Sequence, residues 1–162
     1  MSLLSLCESL EATQLSTSIR ESLWVYPMLH FAHVLSNSLM FGTIAFLDLR
    51  LLGFGLTKRR VSDVAGQLLP WTWTGWFLMF VSGGLIFSSD PVRYHDSTLF
   101  WIKMGLMALA GLNALVFHFT VYRGVEGWEL AGTPGRARLA GAISLTTWIA
   151  IIFTGRFVGY YS

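Results

Sequence analysis

Charge is scarce in this chain of 162 residues: 11 Lys+Arg and 9 Asp+Glu make up 12% of it, where soluble domains carry roughly a quarter. So small a basic excess excludes a nucleic-acid-binding surface and gives no reason to expect an acidic partner. Cysteine is nearly absent. The lone Cys7 excludes an internal disulfide framework and a CxxC redox or zinc site. The motifs of soluble enzymes are missing too. There is no GxSxG elbow, HExxH, P-loop or GxGxxG, and nothing sets a nucleophile beside a general base.

What is abundant is apolar surface: 54% of residues are hydrophobic and 15% aromatic, with a mean hydropathy of +0.58. A membrane-spanning helix needs about 20 mostly apolar residues. Four stretches meet that need, at about 23–52, 71–87, 99–122 and 139–158. Each is too long for a strand and too continuously apolar for a surface helix. Charged connectors bearing Gly or Pro separate them at 53–70, 88–98 and 123–138. The expected fold is all-α: a four-transmembrane-helix bundle over 23–162, preceded by a short amphipathic segment over 1–22. That segment lacks a basic n-region, and Glu8 and Glu11 interrupt its leucines, so it is expected to lie on the membrane surface rather than to be a cleaved signal.

Positive charge sets the orientation. Lys58, Arg59 and Arg60 follow the first stretch, and Arg123, Arg136 and Arg138 lie between the third and fourth. The positive-inside rule therefore places both termini outside the cytoplasm, in a bacterial inner membrane. Trp24 and Tyr26, Trp71 and Trp73, and Tyr160 and Tyr161 fit aromatic belts at the two interfaces.

Polar groups at membrane depth are costly and mark the bundle interior or a ligand. His30, His33, Asn37 and Asp48 fall within about 60° of arc on the first helix, at about 100° per residue. Lys103, Asn113 and His118 lie on the third stretch, Arg156 near the end of the fourth. A rise of about 1.5 Å per residue sorts them into two layers. His30, His33, Lys103 and Arg156 belong to the outer half. Asp48, Arg50 and His118 lie towards the cytoplasm, with Asp48 and Arg50 expected to form an ion pair at the membrane edge. His118 and Asp48 mark a possible second site.

A neutral imidazole in a low-dielectric bundle is a natural axial ligand for haem iron. His33 or His30 would hold the iron, with Asn37 nearby and with Lys103 and Arg156 on the propionates or on a bound anion. Copper is the competing metal: His30 and His33, with Met28 or Met107, offer imidazole and thioether ligands that Cu(I) accepts. Gly75, Ser82 and Ser89, spaced by seven, read as a packing stripe. The expected work of a haem is one-electron transfer, with quinone, a periplasmic redox partner or a larger membrane complex; a homo-oligomer fits the lipid-facing surface too. The alternative is a non-catalytic structural or assembly subunit of a membrane complex.

The run Trp24-Val-Tyr-Pro-Met-Leu-His30-Phe-Ala-His33-Val-Leu, then Phe46-Leu-Asp48-Leu-Arg50-Leu-Leu-Gly53, resembles an uncharacterised family of small bacterial four-helix membrane proteins. The likeness continues through Leu69-Pro70-Trp71-Thr72, Phe100-Trp-Ile-Lys103-Met and Ala110-Gly111-Leu-Asn113-Ala-Leu-Val-Phe-His118, and closes with Gly155-Arg156-Phe. It implies the fold and no activity. A second pattern is similar to HemJ-type haem-b membrane proteins: a histidine early in the first span, an FxxK turn opening the third, and a histidine near its end. That likeness implies an axial ligand at His33 or His30 and a functional lysine at Lys103. CopD-type copper-resistance domains share the four-helix layout.

Overall fold

The computed structural model describes residues 2–129 and 131–161, all in helices and their connections, with no strand among them. Two short helices, α1 (Leu3–Glu11) and α2 (Gln14–Glu21), lead into α3 (Val25–Leu52). There follow α4 (Val61–Ser89), α5 (Pro91–Asp96), α6 (Thr98–Val116) and α7 (Gly135–Tyr161). A π-helical turn at Phe117–Val121 and a 3-10 turn at Tyr122–Gly127 extend α6. The all-α expectation holds.

Three helical segments are long and apolar enough to cross a membrane: Val25–Leu52, Thr98–Gly127 and Gly135–Gly159. The sequence led us to expect four. The remaining long helix, α4, has 29 residues, but Trp71, Thr72, Trp73, Thr74 and Trp76 dilute its first half. It also starts well before the expected 71. Pro70 sits inside it, where the missing N–H leaves the Gly66 carbonyl without its helical donor. Pro27, by contrast, falls in the first turn of α3, where no donor is required.

Gly53 ends α3 in the left-handed conformation, φ 90°, with Phe54 N–H donating to Leu49 O at 2.8 Å. This is the glycine-terminated helix stop that orphan carbonyls call for. Cross-helix contacts make α3 antiparallel to α4 (Thr43 with Thr72, Met40 with Gly75, His33 with Ser82) and to α7 (Leu51 with Gly141). α6 runs antiparallel to α7 (Lys103 beside Gly155, Asn113 bonded to Ala140). The result is up-down-up-down.

Backbones approach closely along α3–α4, α3–α7 and α6–α7, with no comparable approach between α4 and α6 among the described residues. The tightest point is Gly75: a Cβ there would stand 2.8 Å from Met40 N. That bears out the packing reading of the small-residue stripe.

The core is layered. Leu29, Ile86, Phe87, Tyr94, Leu99, Phe100 and Val158 fill the end that holds both termini. Met40, Met79, Ala110, Trp148 and Ile151, with Phe41 and Ile44, fill the middle. Leu51, Val61, Val125 and Ala137 fill the end formed by the two basic loops.

The N-terminal segment is two helices, not one, and α2 docks on the termini end. Ile19 is buried, and Ser16 Oγ and Arg20 Nη1 both donate to Ser89 O at 3.2 Å. Leu3, Leu4, Leu6 and Leu15 stay exposed. The expected belt residues Tyr160 and Tyr161 have side chains outside those described.

Candidate functional site

The termini end gathers the polar groups. On α3, His33 Nδ1 lies 3.0 Å from Ser82 Oγ on α4. Gly83 permits this seating: a Cβ there would come within 3.1 Å of His33 Cε1. One turn earlier, His30 packs edge-on against Tyr26 at 4.6 Å. Its Nε2 is enclosed and without a hydrogen-bond partner. Tyr26 in turn bonds the Tyr94 hydroxyl, and burial first, then this neighbour, pushes the Tyr94 phenol above its usual range.

Lys103, in the second turn of α6, is half-buried. Its chain lies across α7 at Gly155, where a Cβ would stand 3.3 Å from Nζ. The ammonium is within electrostatic reach of His33. No hydrogen bond or ion pair to it occurs among the described residues. His33 therefore touches α4 and faces a cation on α6, on the side where those two helices stay apart. Asn37 is half-buried one turn beyond His33, and Arg156 is exposed on α7 directly after Gly155.

The other predicted residues go elsewhere. Asn113 Nδ2 donates to Ala140 O at 3.0 Å, a bond between helices. His118 is exposed and stacks on Tyr122 at 5.6 Å. Among the described residues nothing joins it to Asp48. Asp48 is buried against α7, bonded to Ser144, with Oδ2 unpartnered.

The expected Asp48–Arg50 ion pair is replaced by a clasp. Arg50, 4% exposed, donates through Nε and Nη2 to Arg59 O at 3.0 and 2.9 Å, through Nη2 to Glu129 O at 3.2 Å and through Nη1 to Thr133 Oγ1 at 3.3 Å. Loop carbonyls crowd the end of α3, and a five-donor guanidinium satisfies several at once. Glu129 completes the clasp. Its Oε2 accepts from Ser62 N–H at 3.1 Å and Ser62 Oγ–H at 2.6 Å, capping the start of α4. Those bonds, before any charge effect, hold its carboxyl below the usual range.

Copper finds a thin ligand set. Met28 is 55% exposed, Met107 packs in the middle layer, and no group of three or more His, Cys, Asp or Glu stands ready for a metal among the described residues. Sequence reasoning missed Ser82, Gly83 and Gly155 as site residues. Only the first carried a signal, as a small residue on the inward stripe of α4.

No curated protein and no solved structure matches the chain, so the likenesses to HemJ-type and CopD-type proteins find no support there. The likeness to an uncharacterised family does. Residues 24–161 match the model of a family of unknown function, DUF6644, and the chain belongs to that family.

Proposed function

We propose that the chain is a four-span inner-membrane protein, with both termini extracytoplasmic, that binds one b-type haem between α4 and α6 and passes single electrons. Quinone or a periplasmic redox protein would be the partner. One observation carries the reading: His33, tethered through Nδ1 to Ser82, shares its layer with Lys103, which has no ion-pair partner among the described residues, at the open side of the bundle. The donor set fits the group. An imidazole stands ready for the iron, Lys103 and Arg156 offer cations for two carboxylates, and Phe41, Leu106 and Met107 supply apolar walls nearby. A bound haem would supply reversible one-electron redox chemistry. The chain's part is to hold His33 in place, to keep water out and to balance the propionate charge with Lys103. His30, its Nε2 enclosed by protein atoms, is the second choice as ligand. Copper ranks below haem for want of a third protein ligand.

The test is an absorption spectrum of the detergent-purified protein, oxidised and then dithionite-reduced, with metal analysis on the same sample. We expect a Soret band, sharp reduced α/β bands and about one iron per chain. His33→Ala should empty the site and His118→Ala should leave it filled. Colourless protein after haem-supplemented expression, or haem lost only in His118→Ala, would overturn the reading.

A second reading, a non-catalytic assembly subunit, is favoured by the bare outer surface. Only 6% of the apolar stretch of Thr98–Gly127 is buried, against 28% for α3, and Trp73, Trp76 and Phe80 form an exposed ring ladder on α4. Colourless protein that co-purifies with a larger complex would support it.

A further inference from the structure

We infer that Ser82 is a positioning residue for His33: it holds the ring as the Nδ1–H tautomer and leaves the lone pair on Nε2. The use of that lone pair for iron rests on the haem reading above; the tautomer itself does not. The argument is a count of protons. A serine hydroxyl has one proton and two lone pairs. Ser82 Oγ lies 2.7 Å from Leu78 O and 3.2 Å from Met79 O. Carbonyl oxygens only accept, and Leu78 O at 2.7 Å is a closer acceptor for the hydroxyl proton than His33 Nδ1 at 3.0 Å. What Oγ presents to His33 Nδ1 at 3.0 Å is a lone pair, and the bond requires a proton on Nδ1.

The close fit over Gly83 seats this edge of the imidazole on α4. A neutral imidazole carries one N–H, so Nε2 is bare. It is competent toward a Lewis acid or a hydrogen-bond donor. Histidines that ligate metals almost always donate their other N–H to an acceptor, which fixes the tautomer and raises ligand basicity. Here the acceptor is a hydroxyl relayed to a helix carbonyl, in place of a carboxylate.

The test is nitrogen NMR of the full-length chain, 15N-labelled at histidine and purified haem-free in detergent, with His33 assigned by its loss in H33A. Wild type should show a protonated Nδ1 and a bare Nε2. S82A should shift the His33 signals toward the Nε2–H form, and S82T, which keeps the hydroxyl, should restore them. On the haem-loaded protein, S82A should raise the midpoint potential, because a less basic ligand favours the ferrous state, and S82T should return it. Finding Nε2–H in wild type, or no change in S82A, would overturn the inference. The two readings fail separately. A chain that never takes up haem yet shows the S82A shift would sink the haem reading and keep the tautomer. Haem bound through His33 with a potential indifferent to S82A would remove Ser82 from its role and leave the haem reading standing.

Discussion

The two ends of the bundle treat buried polar groups in opposite ways. At the basic-loop end the large charges are answered: Arg50 meets two carbonyls and a hydroxyl, and Glu129 caps α4 through Ser62. At the termini end two groups lack such answers among the described residues: Lys103 lies across Gly155 without an anion, and His30 Nε2 is enclosed without a partner. A saturated network stabilises a fold, whereas an unanswered cation in an apolar layer is a cost that persists where something outside the chain offsets it. The contrast supports the proposal of scaffolding at one end and a ligand at the other. Asp48, with one oxygen bonded and one bare, lies on the scaffold side and is its single irregularity among the charged groups discussed.

Substitutions can break this contrast or sharpen it. The largest effect is expected from Arg50→Ala, which strands buried loop carbonyls at the end of α3. Hydrogen bonds from a charged donor contribute about 1.5–3 kcal/mol each, so a loss of about 3 kcal/mol or more should appear in unfolding measured in detergent. The His33 signals below the transition should not move; if they do, the ends are not separable. Lys103→Met should act with the opposite sign. A half-buried ammonium with no partner among the described residues carries a desolvation cost that a hydrophobe does not, so the haem-free protein should gain about 1 kcal/mol while haem occupancy falls. A loss of stability would mean that Lys103 belongs to the scaffold after all.

The smallest effect concerns pH. Glu129 has its carboxyl lowered from 4.5 in the folded chain. Its contribution is therefore present above that value and is lost as pH falls from about 4.5 through the lower folded value. Glu129→Gln should flatten this acid-side decline by bringing stability at neutral pH down towards the acid-side level, as read from stability between pH 6 and 3. An unchanged decline would assign the acid sensitivity to other carboxylates.

The fold was largely legible because long apolar runs and basic connectors are composition-level signals. The boundaries were less so. α4 extends back to Val61 because Pro70 is tolerated mid-helix, and its Trp- and Thr-rich half weakens the apolar signal. The arc of His30 and His33 could be read from helical spacing alone. Their partners could not. Ser82 and Gly155 become site residues only through helix pairing, which spacing within one helix cannot reveal. The Asp48–Arg50 pairing failed for a related reason: residues two apart on a helix point to different faces, and Arg50 found acceptors in loops distant in sequence.

That distance has a consequence for how the chain is made. Arg59, Glu129 and Thr133 follow Arg50 by 9, 79 and 83 residues. Synthesis runs at about 5–20 residues per second, so about 2–9 s separate the end of α4 at Ser89 from the last acceptor of Arg50. Through that interval the guanidinium has only the Arg59 carbonyl to hold. The α3–α4 hairpin, with its close approach at Gly75, is therefore made before the loop whose groups complete the Arg50 clasp.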